Sequence, residues 1–332
     1  MCEISIIMPV YNKARYIQNV LFDVQKQGFC DFECIIIDDG STDLSGKICD
    51  DFAAQDTRFC VFHIPNSGVS HARNVGLARA TGEYVTFIDA DDRVAPDYLM
   101  RLFTDVESSQ ADMVIAGLEK FWVDGRPHVM TEVPYTGAYS LKQLMPEFAQ
   151  AQKQTGIYGY GCGKLIRRDI TATIQFSEWL HLAEDFEFYL RIYPKVKTIY
   201  FDDKCKYQYL QEAENSSAVI DSARIDYVAQ LKINLYYREF LQNAGYYAGT
   251  NRSIVDGLVA DYAFFSVFHC ERAEIPERIK DIRKLLAKNN ILVNRNGLLK
   301  SALLFCIRND FRKLPRTIMR LYDVLRSLKR RL

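Results

Sequence analysis

Residues 84–92 read Tyr-Val-Thr-Phe-Ile-Asp-Ala-Asp-Asp, a short β-type apolar run that stops in three carboxylates. Directly upstream, residues 66–82 (NSGVSHARNVGLARATG) place a turn at Asn66-Ser67-Gly68, then a small-residue helix with Ser70 as its cap and an end near Gly82. Working outward, the same strand–helix alternation recurs. Residues 4–9 (ISIIMP), 33–37 (ECIII) and 59–64 are short apolar runs of the kind that form buried parallel strands. Asn12 is the expected cap of a first helix running to about Gln27, with Ile17, Val20, Leu21 and Val24 at helical spacing. Ser41 or Thr42 is the expected cap of a second, running to about Gln55. Three strand–helix–strand units require right-handed crossovers, and therefore a parallel sheet covered on both faces. Ligands of such sheets bind beyond the carboxyl ends of the strands. There the acids collect: Asp38 and Asp39 after the second strand, Asp89, Asp91 and Asp92 after the fourth.

The rest of the chain is less regular. Residues 96–217 mix helix and strand signals, with Trp122–Arg126 as a turn between two short strands. From Asp221 onward the pattern is helical, and Pro276 and Pro315 are placed to begin helices. The composition, 48% hydrophobic and 25% charged over 332 residues, is that of a folded chain of one large or two ordinary domains. Forty-two basic and forty-two acidic residues cancel, which argues against a nucleic-acid partner. Nine scattered cysteines without a C-x-x-C pattern suggest reduced thiols. The sequence carries no visible signal peptide and no run of eighteen apolar residues, so an intracellular, cytoplasmic protein is expected.

After the first strand comes Pro9-Val10-Tyr11-Asn12, with no glycine-rich turn. That speaks against a dinucleotide-binding fingerprint or a P-loop, both of which need glycines where backbone approaches phosphate. The acids offer another way to hold phosphate. Asp89, Asp91 and Asp92 repel one another, and a divalent cation would relieve that repulsion, since hard cations take oxygen ligands. Read alone, the same residues also suit a solvated acidic loop.

Three blocks, SIIMPVYNKARYI, IIIDDGSTD and NSGVSHARNVGLARATGEYVTFIDADD, lie in order within residues 4–92. Together they resemble the family 2 glycosyltransferases of the GT-A fold. The resemblance implies a nucleotide-binding α/β domain with a mostly parallel central sheet, followed here by a helical C-terminal region. It also implies roles. Pro9, Val10 and Tyr11 match the segment lining the base pocket, and Asp39 matches the carboxylate that accepts a hydrogen bond from the base. Arg73 matches an arginine near the base and diphosphate. Asp91 matches a residue at the ribose or the metal, and Asp91 or Asp92 the ligand of Mg2+ or Mn2+. Asp89 opens the motif, as strand cap or as ligand, and Asp38 is expected to be structural.

Glu184-Asp185 opens a helical run, EDFEFYLRIY, with Phe186, Tyr189 and Leu190 on its packing side. It resembles the family's Glu-Asp signature, which makes Asp185 the catalytic base of an inverting reaction; the same acids also complement a helix N-terminus. Residues 160–168 (YGCGKLIRR) resemble the family's Asn-Lys-Leu-x-Arg-Arg segment near the acceptor, with Gly163 where Asn is usual. Lys164 could there reach a phosphate or anchor a loop. His181 matches no metal-binding histidine, and residues 209–217 only loosely resemble a closing loop.

The expected organisation is a glycosyltransferase domain over 1–217 and a helical region over 218–332. Within the first, residues 1–95 form the nucleotide-sugar half and 96–217 the acceptor and base half. The expected reaction moves a sugar from a nucleoside-diphosphate donor, UDP-sugar by resemblance, to a hydroxyl of a glycan or lipid-linked glycan in surface-polysaccharide synthesis. A non-catalytic sugar-nucleotide-binding subunit is the alternative, and a nucleotidyltransferase a more distant one. From Gly297 onward ten Lys/Arg face two Asp, leaving the first 296 residues at minus eight. Within 313–332, apolar Ile318, Leu321, Leu325 and Leu328 alternate with arginines at helical spacing. That pattern suits a helix on an anionic membrane surface, or one packed on the domain with a solvated face.

Overall fold

The computed structural model describes residues 2–122, 126–131, 133–211, 225–270 and 274–289. The chain divides into two compact units, Met1–Ala223 and Arg224–Leu332. The basic segment 313–332, Pro315, residues 123–125 of the expected turn and residues 212–217 of the closing-loop segment lie outside the described residues.

In the first unit, strands β1 (Ile4–Val10), β2 (Phe32–Asp38), β3 (Phe59–His63) and β4 (Tyr84–Phe87) alternate with helices α1 (Ile17–Gln25), α2 (Ser45–Ala53) and α3 (Val69–Leu77). All four strands are parallel, in the order β3-β2-β1-β4. The chain reverses its direction of travel at β1, and switch points of this kind are where α/β sheets bind ligands, beyond the strand ends. The sheet continues through β9 (Lys164–Arg167), antiparallel to β4, and β6 (Met113–Phe121), antiparallel to β9. Strand β10 (Thr198–Leu210) runs parallel to β6, and β5 (Arg93–Val94) and β8 (Gly137–Ser140) pair antiparallel with β10. Strand β7 (Val129–Thr131) pairs antiparallel with β6, so the expected turn is flanked by one short strand and by β6, a nine-residue strand. Helices α4 (Tyr98–Ser109), α5 (Leu141–Leu144), α6 (Phe148–Thr155), α7 (Arg168–Thr171) and α8 (Glu184–Ile192) complete the unit.

Strand alternation divides the apolar side chains between the two faces. Ile4, Ile6, Met8 and Val10 pack with Ile17, Val20, Leu21 and Val24 of α1. On the other face α3 lies so close to β1 that a methyl group at Gly76 would sit 2.4 Å from the Ile7 side chain. Helix α8 is fixed by aromatic packing: the Phe188 ring stacks on Phe176 at 3.9 Å, and both meet Phe87 of β4 edge-on. Phe188, not Phe186, carries this contact, and Phe186 is half-buried.

The expected helix caps differ from those observed. Asn12 adopts a left-handed backbone, φ 52°, and its side-chain oxygen accepts from the Thr42 amide at 2.8 Å, tying the loop after β1 to the loop after β2. Helix α1 begins only at Ile17. Ser41 does not cap α2: its hydroxyl accepts from the Asn12 amide, and α2 starts at Ser45. Ser70 lies inside α3, which ends at Leu77. The group at the N-terminus of α3 comes from the loop after β2: both Asp39 oxygens accept backbone N–H bonds, from Ser67 and Gly68, at 2.8 Å each.

The second unit contains α9 (Tyr227–Asn243), α10 (Gly249–Phe268) and α11 (Ile275–Lys288). Asp226 caps α9 by accepting from Val228 and Ala229, and Pro276 stands in the first turn of α11, where its missing N–H costs nothing. No helix among the described residues is long and apolar enough to cross a membrane.

Candidate active site

Beyond the end of β1, Val10 is fully buried in the core and its carbonyl accepts from the Asp39 amide at 2.8 Å, so it can present only backbone to a ligand. Pro9 is partly buried, whereas Tyr11 is 46% exposed, an aromatic face left in water at the rim. Asp39, bonded through its amide to Val10, is buried. Its two N–H bonds leave further lone pairs on each oxygen. Asp38 is tied down by the Ser41 amide and by His63 at 2.7 Å, and His63 also meets Asp50 at 3.0 Å.

The three acids after β4 go three ways. Asp92 is 1% exposed, and both its oxygens are engaged, by the Tyr207 hydroxyl at 2.7 Å and the Leu210 amide at 2.8 Å. Burial, with Asp89 and Asp91 nearby, pushes its carboxyl well up. The resemblance puts it with Asp91 at a metal; here its two hydrogen bonds tie the acidic turn to β10. Asp89 accepts from Arg73 at 3.1 Å, while its amide donates to Tyr207 at 3.0 Å. Asp91 is paired with the Lys13 ammonium at 2.5 Å, and both side chains keep about a quarter of their surface in water. Ligand atoms of Asp89, Asp92 and Cys162 do fall within 4.8 Å of one another. The Cys162 thiol is pushed well up by burial, however, and a protonated sulfur does not suit a hard cation. Of the three acids, Asp91 fits such an ion best: a side-chain cation already occupies its open side.

Arg73, expected near the base and diphosphate, is buried in α3 with its guanidinium committed to carboxylates. One terminal nitrogen donates to Asp185 at 2.6 Å and Glu184 at 3.2 Å, the other to Asp89 at 3.1 Å. The guanidinium also lies over the Phe176 ring. One residue thus joins the acidic turn after β4 to the start of α8. Neighbouring Asn74 holds the Phe176 backbone from both sides, accepting its amide at 2.7 Å and donating to its carbonyl at 3.0 Å.

Asp185 stands in the first turn of α8 behind Ala183, whose φ of 62° is a strained, left-handed value for a residue with a Cβ. Burial pushes the Asp185 carboxyl up to about 7, against the pull of Arg73. Gly161 is its floor: a Cβ there would fall 2.5 Å from a carboxylate oxygen. Lys164 is buried and donates to the Tyr160 carbonyl, so it reaches no phosphate. Gly163, where Asn is usual in the resembled family, has φ 71°, a conformation that Gly adopts freely and Asn tolerates better than most residues. The position therefore needs a backbone shape, which either residue supplies. His181 is exposed. Lys13, Gly161, Tyr207 and the Leu210 amide were not expected at the site. Lys13 and Gly161 lie within the blocks that carry the resemblance, but their contacts, like those of Tyr207 and Leu210, are with distant segments.

Known proteins resemble this chain in family and in fold. The family described as "Glycosyl transferase family 2" matches residues 5–174. The chain is 32% identical over 215 residues to "Uncharacterized glycosyltransferase EpsJ" of Bacillus subtilis (strain 168), covering 64% of this chain and 62% of that protein. It is 28% identical over 223 residues to "Minor teichoic acid biosynthesis protein GgaB" of the same organism, covering 65% of this chain and 24% of that one. The chain thus spans less than two thirds of either relative. Among solved structures, S. aureus TarS 1–349, crystallised with UDP-GlcNAc, superposes with a TM-score of 0.67 at 22% identity, covering 97% of this chain and 91% of that one; the likeness is one of fold. With the parallel β3-β2-β1-β4 sheet, the acids at its strand ends and a match over half its length, this chain belongs to glycosyl transferase family 2.

Proposed function

We propose that this protein is an inverting glycosyltransferase that moves a sugar from a UDP-sugar to a hydroxyl of a glycan or lipid-linked glycan acceptor in surface-polysaccharide synthesis. The observation that carries the reading is the junction at Arg73, which holds a buried, raised-pKa carboxylate, Asp185, beside the strand-end acids. The donor class is supported by the fold shared with a UDP-GlcNAc-binding protein, and the acceptor class by the GgaB relative. In this reading Tyr11 stacks on the base, Asp39 accepts its imide N–H on a spare lone pair, and Pro9 and Val10 wall the pocket with backbone. Asp91 would hold Mg2+ or Mn2+, a hard cation suited to a carboxylate ligand. Bound there, such a cation neutralises charge on the leaving diphosphate.

Asp185 then removes the proton of the acceptor hydroxyl as that oxygen attacks the anomeric carbon from the face opposite the leaving group, which inverts the configuration. Arg73 fixes one carboxylate oxygen and Gly161 leaves room for it. A general base must be ionised to act, so turnover should rise with pH through about 7. Asp185→Asn should lower turnover of a UDP-sugar by about 10²–10⁴-fold and abolish that rise, while UDP binding measured by calorimetry stays intact. Retained turnover in this variant would remove Asp185 from the mechanism. In the alternative reading, a non-catalytic sugar-nucleotide-binding subunit, the wild type would bind UDP-sugar without turning it over. The basic segment 313–332 is proposed to hold the protein at an anionic inner membrane face, where a lipid-linked acceptor would lie.

A further inference from the structure

Behind Asp185 lies a buried cation that the reaction scheme above does not use. Lys164, at the start of β9, is 1% exposed. Its ammonium donates to the Tyr160 carbonyl and sits 4.3 Å from the centre of the Tyr189 ring. Tyr189 is one turn along α8 from Asp185, on the same face, and its hydroxyl donates to the Gly161 carbonyl at 2.9 Å. Gly161 in turn lies directly against the Asp185 carboxylate. The contacts close into a ring: Asp185 on Gly161, Gly161 and Tyr160 held by Tyr189 and Lys164, and Tyr189 returning to the helix that carries Asp185.

Burying an ammonium with one carbonyl and one aromatic face as partners is costly, and an apolar side chain would suit the core better. The groups facing Asp185 are Arg73 from α3, Asp89 from the turn after β4, Glu184 from its own helix and Lys164 from β9. Two anions press on it and two cations relieve it, but only Arg73 bonds to it directly. Burial lowers the ammonium of Lys164 to about 8, so it remains charged where Asp185 titrates.

We infer that Lys164 is a positioning residue for Asp185: it holds the Tyr160–Gly161 backbone as a wall against the carboxylate, and its buried charge favours the ionised form. The inference rests on the proposed role of Asp185 as base, and its test is independent of turnover. Full-length protein carrying 13C-carboxyl aspartate would be titrated by NMR, with Asp185 assigned as the resonance lost in Asp185→Asn. Lys164→Met removes charge and anchor, whereas Lys164→Gln removes charge and keeps a donor for the Tyr160 carbonyl. Both should raise the Asp185 midpoint by roughly half a unit to one unit. Both should still fold, because Arg73 continues to pair with Asp185 when the ammonium is gone. Lys164→Arg should leave the midpoint within about 0.3 unit of wild type, as it keeps the charge. A midpoint unmoved in folded Lys164→Met and Lys164→Gln would overturn the proposal. So would failure of both to fold, since the lysine would then serve the core. Loss of the base role alone would appear separately, as retained turnover in Asp185→Asn with the Lys164 variants still shifting the midpoint.

Discussion

The acidic turn after β4 and the acidic start of α8 both crowd carboxylates, yet they settle the repulsion in opposite ways. In the turn, each acid has its own partner. Asp92 goes inward to Tyr207 and Leu210, Asp89 goes sideways to Arg73, and Asp91 goes outward to Lys13. At the helix, Glu184 and Asp185 share a single guanidinium nitrogen. Divided partners make the acids of the turn separable, so that one can be structural while its neighbour binds a ligand. A shared partner makes the helix acids inseparable, and through Asp89 it links them to the turn. Position in the sequence says nothing of this: Asp91 and Asp92 are adjacent and take different partners.

The largest effect should come from removing the shared partner. Arg73→Met leaves Asp89, Glu184 and Asp185 facing one another without their cation. Because these acids retain partial contact with water, the expected loss is about 2–3 kcal/mol, below the usual cost of breaking a fully buried pair. Urea denaturation measures it, and a loss under about 1 kcal/mol would mean that the junction contributes little to the fold.

A second pair of variants separates the neighbours in the turn. Asp92→Asn cannot accept from both Tyr207 and Leu210, and should lose about 1–3 kcal/mol of stability while keeping Mn2+-dependent UDP binding. Asp91→Asn breaks an ion pair open to water, and should change stability by less than about 1 kcal/mol while losing that binding. Thermal melts and calorimetry on both variants give the contrast; the reverse pattern would exchange their roles. The smallest effect is at Ala183. Gly there removes the left-handed penalty of about 1–2 kcal/mol and adds back part of it in unfolded-state entropy. A net gain of about half a kcal/mol is expected in a melting experiment. A loss would show that the methyl group packs usefully.

Much of this was legible in one dimension. Residues 4–92 carry a strict alternation of short apolar runs and helical spacing, and the parallel sheet follows because strands so connected can join only through crossovers. The acids at the strand ends were legible for the same reason, as was the helix bearing Asp185. Helix caps were read less well. Asn12, Ser41 and Ser70 have the right chemistry for caps, but the first two are spent on tying neighbouring loops together and the third lies inside α3. The N-terminus of α3 is served instead by Asp39, twenty-eight residues before Ser67.

What the sequence determined by itself is therefore the pattern of elements and the chemical types gathered at one end of the sheet, since both depend on local periodicity. The tertiary structure decided which of those groups meet. Arg73 and Asp185 are 112 residues apart, and Asp92 and Tyr207 are 115 apart. Such pairings arise only when packing brings distant segments together, and burial then turns a surface charge into one whose protonation and partner are set by its neighbours.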